Sequence, residues 1–265
     1  MKINKQNNLL ELFNFQFCNQ SPDNIFLCSL KNLDHQFTWQ DTYQNIIKLS
    51  EELSLNIKKK DRCLLISENR PEWMISDLAI MLAKGITVPA YTTYVEKDYE
   101  YLINDCKPSV IIVSDEIQYN KIKNIIKMKP FIKCIISFED FENNTEVVCL
   151  KTIFKEREFK EKDLLNLKIK REDVACIIYT SGTQGNPKGV MLTHGGILNN
   201  CEGSVSLLKE IVCEKPKFLT WLPLSHSYEH TTQFIQIAIG AKVFYAESID
   251  KLIKNMSDCS PDIMT

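Results

Sequence analysis

The chain has 265 residues, 44% of them hydrophobic and 25% charged, with a formal net charge of -2. This is globular composition, long enough to bury a sizeable core, and it gives no electrostatic reason to expect nucleic acid. The first ten residues lack the apolar core of a secretory signal, no long apolar run could span a membrane, and the ten cysteines include no C-x-x-C pair, so a reducing, cytosolic location with cysteines as small buried hydrophobes is expected.

In chain order, apolar residues at helical spacing over 9–17 predict a first helix. The runs 25–30 and 36–39 predict a hairpin across 31–35, with His35 as a turn residue. Thr38 or Asp41 caps a helix of about fifteen residues, whose buried side carries Ile46, Ile47, Leu49, Leu53 and Leu55. A strand over 62–67 follows, then Asn69, Pro71 at the first helical position, a helix to Lys84, Gly85 as its stop and a strand over 86–90. A helix over 99–106, a strand over 110–114, a helix near 117–128 and a strand over 132–138 continue the alternation. Such alternation implies right-handed crossovers and a parallel sheet covered on both faces. Residues 154–173 are crowded with charge and read as a surface connection between a first α/β subdomain, 1–170, and the start of a second, 171–265.

Residues 174–194 read V-A-C-I-I-Y-T-S-G-T-Q-G-N-P-K-G-V-M-L-T-H. A β-branched run suited to a buried strand leads into a loop with the ingredients of an oxyanion cradle. Thr180, Ser181 and Thr183 supply hydroxyls, Gly182, Gly185 and Gly189 let backbone N–H groups come close, and Lys188 adds a positive charge. The loop is not of the G-x-x-x-x-G-K-[ST] type, because Pro187 precedes Lys188 and Gly189 follows it. The plain alternative is a glycine-rich hairpin turn, but these hydroxyls, glycines and lysine together exceed what a turn requires.

After the loop, Ile197, Leu198, Cys201, Val205 and Leu208 describe a helix that Thr193 could cap, with His194 as a structural hydrogen-bonder rather than a catalyst. Residues 218–230, F-L-T-W-L-P-L-S-H-S-Y-E-H, read as a strand, a proline turn and a helix capped by Ser225 or Ser227.

The stretch Y-T-S-G-T-Q-G-N-P-K-G-V resembles the signature loop of the adenylate-forming (AMP-binding) superfamily, which holds the β- and γ-phosphates of ATP. Gln184 stands where a threonine is usual, and its amide can still donate to a phosphate oxygen. S-E-N-R-P-E-W at 67–73, V-P-A-Y-T-T-Y at 88–94, the stretch from Asn104 and L-P-L-S-H-S-Y-E are similar to long-chain fatty-acid–CoA ligases more than to luciferases. Trp73 and Tyr91 nevertheless read first as core or interface residues, and Arg70 as an ion-pair partner at a helix start.

The resemblance implies the N-terminal portion of the adenylate-forming fold, with parallel-rich sheets between helices and with the C-terminal strands and small C-terminal domain missing. Its implied chemistry joins a fatty acid to coenzyme A at the expense of ATP with Mg²⁺, through an acyl-adenylate. Thr180, Ser181, Gly182, Thr183, Gln184, Gly185 and Lys188 would hold the ATP phosphates. His226 would line the acyl carboxylate pocket with Glu229 orienting it, while no magnesium ligand can be named. Adenine, ribose and the catalytic lysine would be served by sequence beyond Thr265, in the same or a companion chain.

Other readings stay open: a truncated, non-catalytic paralogue that binds nucleotide or a full-length partner, a shorter or aryl acid as substrate, and peripheral contact with a membrane. A second sheet begun at Val174 and left without its later strands would make the isolated polypeptide self-associate.

Overall fold

The computed structural model describes residues 3–141, 144–180, 186–208 and 215–265. It starts with α1 (Leu9–Cys18), where the Asn8 side chain accepts the Glu11 N–H at 2.9 Å as N-cap. β1 (Ile25–Ser29) and β2 (Gln36–Thr38) form the expected hairpin. α2 (Trp39–Asn56) begins in a capping box: Thr38 Oγ1 accepts the Asp41 N–H, and the Asp41 carboxylate accepts the Thr38 N–H, each at 3.0 Å. Ile46, Ile47, Leu49 and Leu53 are buried along α2. Leu55 is 72% exposed, because two residues past Leu53 the side chain points to the opposite side of the helix.

β3 (Arg62–Ile66), α3 (Pro71–Leu82) and β4 (Ile86–Ala90) make the first parallel crossover, with Pro71 in the first turn of α3. Lys84, at φ 63°, and not Gly85, takes the left-handed conformation that ends the helix, and the Gly85 N–H donates to the Ile80 carbonyl at 2.9 Å. Space is tight at Gly85, where a Cβ would lie 3.0 Å from the Ile57 side chain and 3.1 Å from that of Ile80.

The alternation continues through α4 (Glu96–Cys106), β5 (Val110–Val113), α5 (Glu116–Ile126) and β6 (Cys134–Ser137). Two short elements that the sequence pattern did not announce follow, β7 (Val147–Cys149) and α6 (Leu150–Glu156). Then come β8 (Val174–Thr180), β9 (Lys188–Thr193), α7 (His194–Leu208), β10 (Lys217–Thr220), α8 (Ser227–Ala238), β11 (Lys242–Tyr245), α9 (Leu252–Cys259) and β12 (Ile263–Met264).

Seven strands pair in the order β7-β6-β5-β3-β4-β8-β9, parallel except for the final β8–β9 pair, and five in the order β12-β10-β11-β1-β2. Val174 therefore does not begin a second sheet. Its strand extends the first one, pairing with β4 at Thr87 and Cys176. The second sheet takes β1 and β2 from the beginning of the chain and β10 to β12 from its end, so each sheet draws strands from both sides of residue 170.

Strand alternation sorts the apolar side chains into layers. Cys63 and Leu65 of β3 face a core between the sheets, shared with Leu27, Phe218, Val243 and Tyr245 of the second sheet and filled by α1, α2, α3, α7 and α8. Leu64 and Ile66 face the opposite side, under α4 and α5. Cys28, Leu219 and Phe244 turn outward toward Leu252 and Cys259 of α9. Every residue of α3 is buried, as expected of a helix that is apolar on most sides. Cys63, Cys106, Cys176 and Cys201 are buried free thiols. Among the described residues no helix is long and apolar enough to cross a membrane.

Residues 157–173 are more than a charged surface connection. Leu164 and Ile169 are buried, the Phe159 ring meets Tyr43 edge-on at 5.9 Å, and the Tyr43 hydroxyl donates to the Lys162 carbonyl at 3.1 Å. The segment is a strap along α2, fastened also by the Arg157–Glu52 ion pair.

The start of α3 is held by charge. Arg70 forks onto Glu72 with Nε–Oε2 3.0 Å and Nη2–Oε1 3.1 Å, and His35 Nε2 lies 2.7 Å from Glu72 Oε1. His35 thus ties the β1–β2 turn to α3. Burial alone would raise the Glu72 carboxyl; the His35 hydrogen bond and the Arg70 guanidinium overcome it and bring it down to about 2. Arg70→Met would leave a buried carboxylate with half its pairing, so unfolding free energy in urea titration at pH 7 is expected to fall by about 3 kcal/mol. The depressed pKa gives stability present above pH 4.5 and lost as pH falls from there toward 2, and in the variant, whose folded pKa moves up toward 4.5, this acid-linked loss should be smaller.

Candidate functional site

β8 is buried along most of its length and ends at Thr180 beside the carboxyl end of β4, where loops of a parallel sheet gather ligands. Residues 181–185 lie outside the described residues, so the expectation for Ser181, Gly182, Thr183, Gln184 and Gly185 rests on sequence. The flanking pairs are described. Thr180 is directly opposite Lys188 in the β8–β9 register, which puts the hydroxyl and the ammonium on one face of the hairpin. Gly189 stands opposite Tyr179, and a Cβ there would come within 2.7 Å of the Ile177 side chain and 3.2 Å of the Tyr179 ring. The glycine after Lys188 is therefore a steric requirement of the strand pair.

Two tyrosines tie the hairpin to α4. The Tyr101 hydroxyl donates to the Pro187 carbonyl at 2.9 Å, and the Tyr179 hydroxyl donates to the Asp105 carboxylate. Burial and that carboxylate push the Tyr179 phenol well above its ordinary range, so it stays a neutral donor.

Between α4, the hairpin and the start of α8 lies a cavity of about 520 Å³. Thr180, Asn186 and Pro187 line it from the hairpin, Tyr94, Lys97 and Tyr101 from α4 and the turn before it, Tyr91 from the end of β4, and His226 and Ser227 from the head of α8. The two motifs singled out in the sequence thus meet at one cavity. Tyr91, which had read as a core or interface residue, is there as well, and Lys97 and Tyr101 were missed. Their only sequence signal is a four-residue spacing on an amphipathic helix.

His226, not Ser225 or Ser227, is the N-cap of α8: its Nδ1 accepts the Tyr228 N–H at 3.3 Å, and its own N–H donates to the Pro223 carbonyl at 2.9 Å. In the neutral ring this leaves the proton on Nε2, suited to donate to a carboxylate. Glu229 is not joined to it. The Glu229 side chain is 0% exposed, and neither carboxylate oxygen has a hydrogen-bond partner among the described residues. Burial lifts its carboxyl to about 7, with Thr265 and Thr220 nearby offsetting part of the rise.

His194 and His230 are structural. His194 is buried, its Nδ1 3.4 Å from the Leu9 N–H, and burial lowers its pKa to about 4. The Thr193 hydroxyl accepts the Gly196 N–H at 3.1 Å, as a cap would. His230 sits fully buried with Nε2 3.1 Å from Asp77 Oδ2 and its ring edge-on to Trp73. Gln233 Nε2 donates to the same Asp77 oxygen at 2.6 Å. Among the described residues no three His, Cys, Asp or Glu side chains cluster as a metal site.

The AMP-binding enzyme family profile matches residues 15–265. Long chain acyl-CoA synthetase 3 of Arabidopsis thaliana is 29% identical over 92% of this chain and 39% of its own length. Long chain acyl-CoA synthetase 4 of the same plant is 31% identical over 85% and 36%. The chain thus spans less than two fifths of these relatives, corresponding to their N-terminal part. The crystal structure of a long-chain-fatty-acid-CoA ligase from Archaeoglobus fulgidus superposes with a TM-score of 0.83 at 18% identity, over 97% of this chain and 51% of that one, a likeness of fold.

The raised Glu229 pKa sets a pH test. A carboxyl titrating near 7 when folded and 4.5 when unfolded favours the native state fully below pH 4.5, and that contribution disappears as pH rises through 7. Glu229→Gln should flatten the loss, worth on the order of 3 kcal/mol by pH 8, in urea unfolding measured from pH 5 to pH 8. Parallel pH profiles for the two proteins would contradict a neutral buried carboxyl.

Proposed function

The chain belongs to the AMP-binding enzyme family, and from that membership we propose that it forms the phosphate-holding part of a ligase joining a long-chain fatty acid to coenzyme A. In this reading the fatty carboxylate attacks the α-phosphorus of ATP, pyrophosphate leaves, and the coenzyme A thiol then displaces AMP from the acyl-adenylate. The observation that carries it is the shared cavity, where the base of the glycine-rich loop and His226 of the L-P-L-S-H-S-Y-E motif face the same 520 Å³.

The chemistry asks for positioning and charge neutralisation more than for acid–base steps. Thr180 and Lys188, on one face of the hairpin, hold the β- and γ-phosphates together with residues 181–185, so the loop grips the leaving group. His226 Nε2 orients the fatty carboxylate. Mg²⁺ would neutralise phosphate charge when bound, and the Thr180 hydroxyl is an oxygen donor on this wall that would help to hold it. Glu229, buried and with a raised pKa, supports the helix that His226 caps and does not touch substrate. Adenine, ribose and the remaining magnesium contacts are assigned to sequence outside these 265 residues, in the same polypeptide or a companion chain.

Support for the long-chain acid comes from the relatives' names and from the motifs shared with them; a shorter or aryl acid is the alternative. Lys188→Ala is expected to weaken magnesium–ATP binding about tenfold or more in titration calorimetry. Unchanged affinity would remove the phosphate-loop assignment. His226→Ala should leave ATP affinity within about twofold and lower fatty-acid-dependent pyrophosphate exchange.

A further inference from the structure

A second pocket lies at the other end of α8 from the candidate site. The helix is capped by His226 at the 520 Å³ cavity, and past its last turn comes Gly240, which lines a pocket of about 240 Å³ at the amino ends of β1, β10 and β11. The walls carry Lys215, Lys217 and Lys242 with the amides Gln20 and Asn24, and no Asp or Glu lines it. Lys217 and Lys242 are register partners in the parallel β10–β11 pair, so their side chains leave the same face of the sheet one strand apart. Like charges side by side on a sheet oppose folding unless something neutralises them.

Among the described residues no protein group does so. None of the three ammonium groups has a carboxylate within 4.0 Å, whereas Lys160, Lys170 and Lys251 each do. Asp262 directs its carboxylate to the Lys217 backbone N–H, at 2.8 Å. Nor do the three lysines cap the helices that end nearby. Lys48 and Lys121 donate to the Phe154 and Thr92 carbonyls, and no such bond forms from Lys215, Lys217 or Lys242. The backbone is shaped to bring a further donor close. Gly240 has φ 66°, and a Cβ there would lie 2.5 Å from Gln20 Nε2, so glycine lets that amide fold over the turn after α8. Asn24 adds a buried Nδ2 that has no partner among the described residues.

We propose that this pocket binds a phosphate monoester, at a site separate from the cavity read as the ligase site and independent of that reading. Lys217 and Lys242 pair with the dianion from adjacent strands, and Lys215 and the Gln20 amide donate from the surrounding turns. At about 240 Å³ the pocket is smaller than the roughly 300 Å³ at which sites for whole cofactors begin, so it suits a small oxyanion or the phosphorylated end of a larger molecule.

The test titrates the full 265-residue chain with inorganic phosphate and with glycerol phosphate by calorimetry, at constant ionic strength, and follows the thermal midpoint. The proteins are the wild type, Lys217→Gln, Lys217→Gln/Lys242→Gln and Lys188→Ala. The wild type should bind both ligands saturably and melt higher with them. The double variant should lose at least about tenfold in affinity, and Lys188→Ala should keep the wild-type value. Without phosphate at low salt, Lys217→Gln should melt about 1–2 °C above the wild type, because one of two adjacent like charges is gone. Sedimentation with phosphatidic acid vesicles distinguishes the source of the phosphate: capture that the double variant loses assigns it to a lipid headgroup, and no capture assigns it to a soluble ester. A wild-type response no larger with phosphate than with chloride at equal ionic strength would overturn the site, as would full affinity in the double variant. A lower midpoint in Lys217→Gln would show the lysines already neutralised within the chain and would also overturn it. Affinity lost in Lys188→Ala and kept in the double variant would move the ion to the glycine-rich loop, overturning this site while supporting the phosphate-loop reading.

Discussion

The parallel pairing of β8 with β4 is the constraint on which the site depends. It inserts β8 between β4 and β9, so that Cys176 and Ile178 face the core between the sheets and Tyr179 faces α4. A strand buried on both sides cannot shift register by one residue without turning core side chains to the wrong layer. Thr180 is consequently delivered at the carboxyl edge of the sheet, level with the turns that follow β3 and β4. The antiparallel return of β9 then brings Lys188 opposite Thr180, and Gly189 permits it by leaving room for Tyr179. Sheet pairing determines where the two ends of the glycine-rich loop, Thr180 and Lys188, stand.

Much of this was legible locally. The capping box at Thr38, Pro71 at the head of α3 and the apolar β-branched strands each speak through neighbours a few residues away, and the elements they predict are present. Pairing across the chain was not legible. β1 lies beside β11 with Leu27 opposite Val243, and nothing near residue 27 carries information about residue 243. The same distance hid Leu164 and Ile169, apolar positions scattered in a charged run, which only the surface of α2 reveals as a strap.

The failure at Glu229 is more specific. An H-x-x-E spacing puts two side chains on one helical face only if both residues are helical. His226 is the N-cap, with φ -90° and ψ 139°, so its ring leaves the helix axis differently from that of a residue inside the first turn. Histidine stays at the cavity while glutamate, one turn in, goes to the core. Helical spacing therefore misleads at a cap, and the proline two residues upstream of Ser225 was the available warning that the helix had not yet begun.

How the two motifs are kept in register is answered by the turn before α3. Asn69 uses both ends of its side-chain amide on the turn that leads to His226: Nδ2 donates to the Leu222 carbonyl at 2.6 Å, and Oδ1 accepts the Leu224 N–H at 2.9 Å. That is the pattern of a neighbouring strand, supplied by one side chain to a segment that has already left its sheet at Thr220. About two helix turns further on, Asp77 holds His230 and Gln233 of α8 inside the core. α3 thus grips α8 at its approach and along its first turns, while Glu72 on the same helix holds His35 of the β1–β2 turn. The S-E-N-R-P-E-W stretch contains no group that reaches the cavity proposed for chemistry. Through Asn69 it holds the approach to α8 against the turn that follows β3, and so helps to place His226 at the head of that helix.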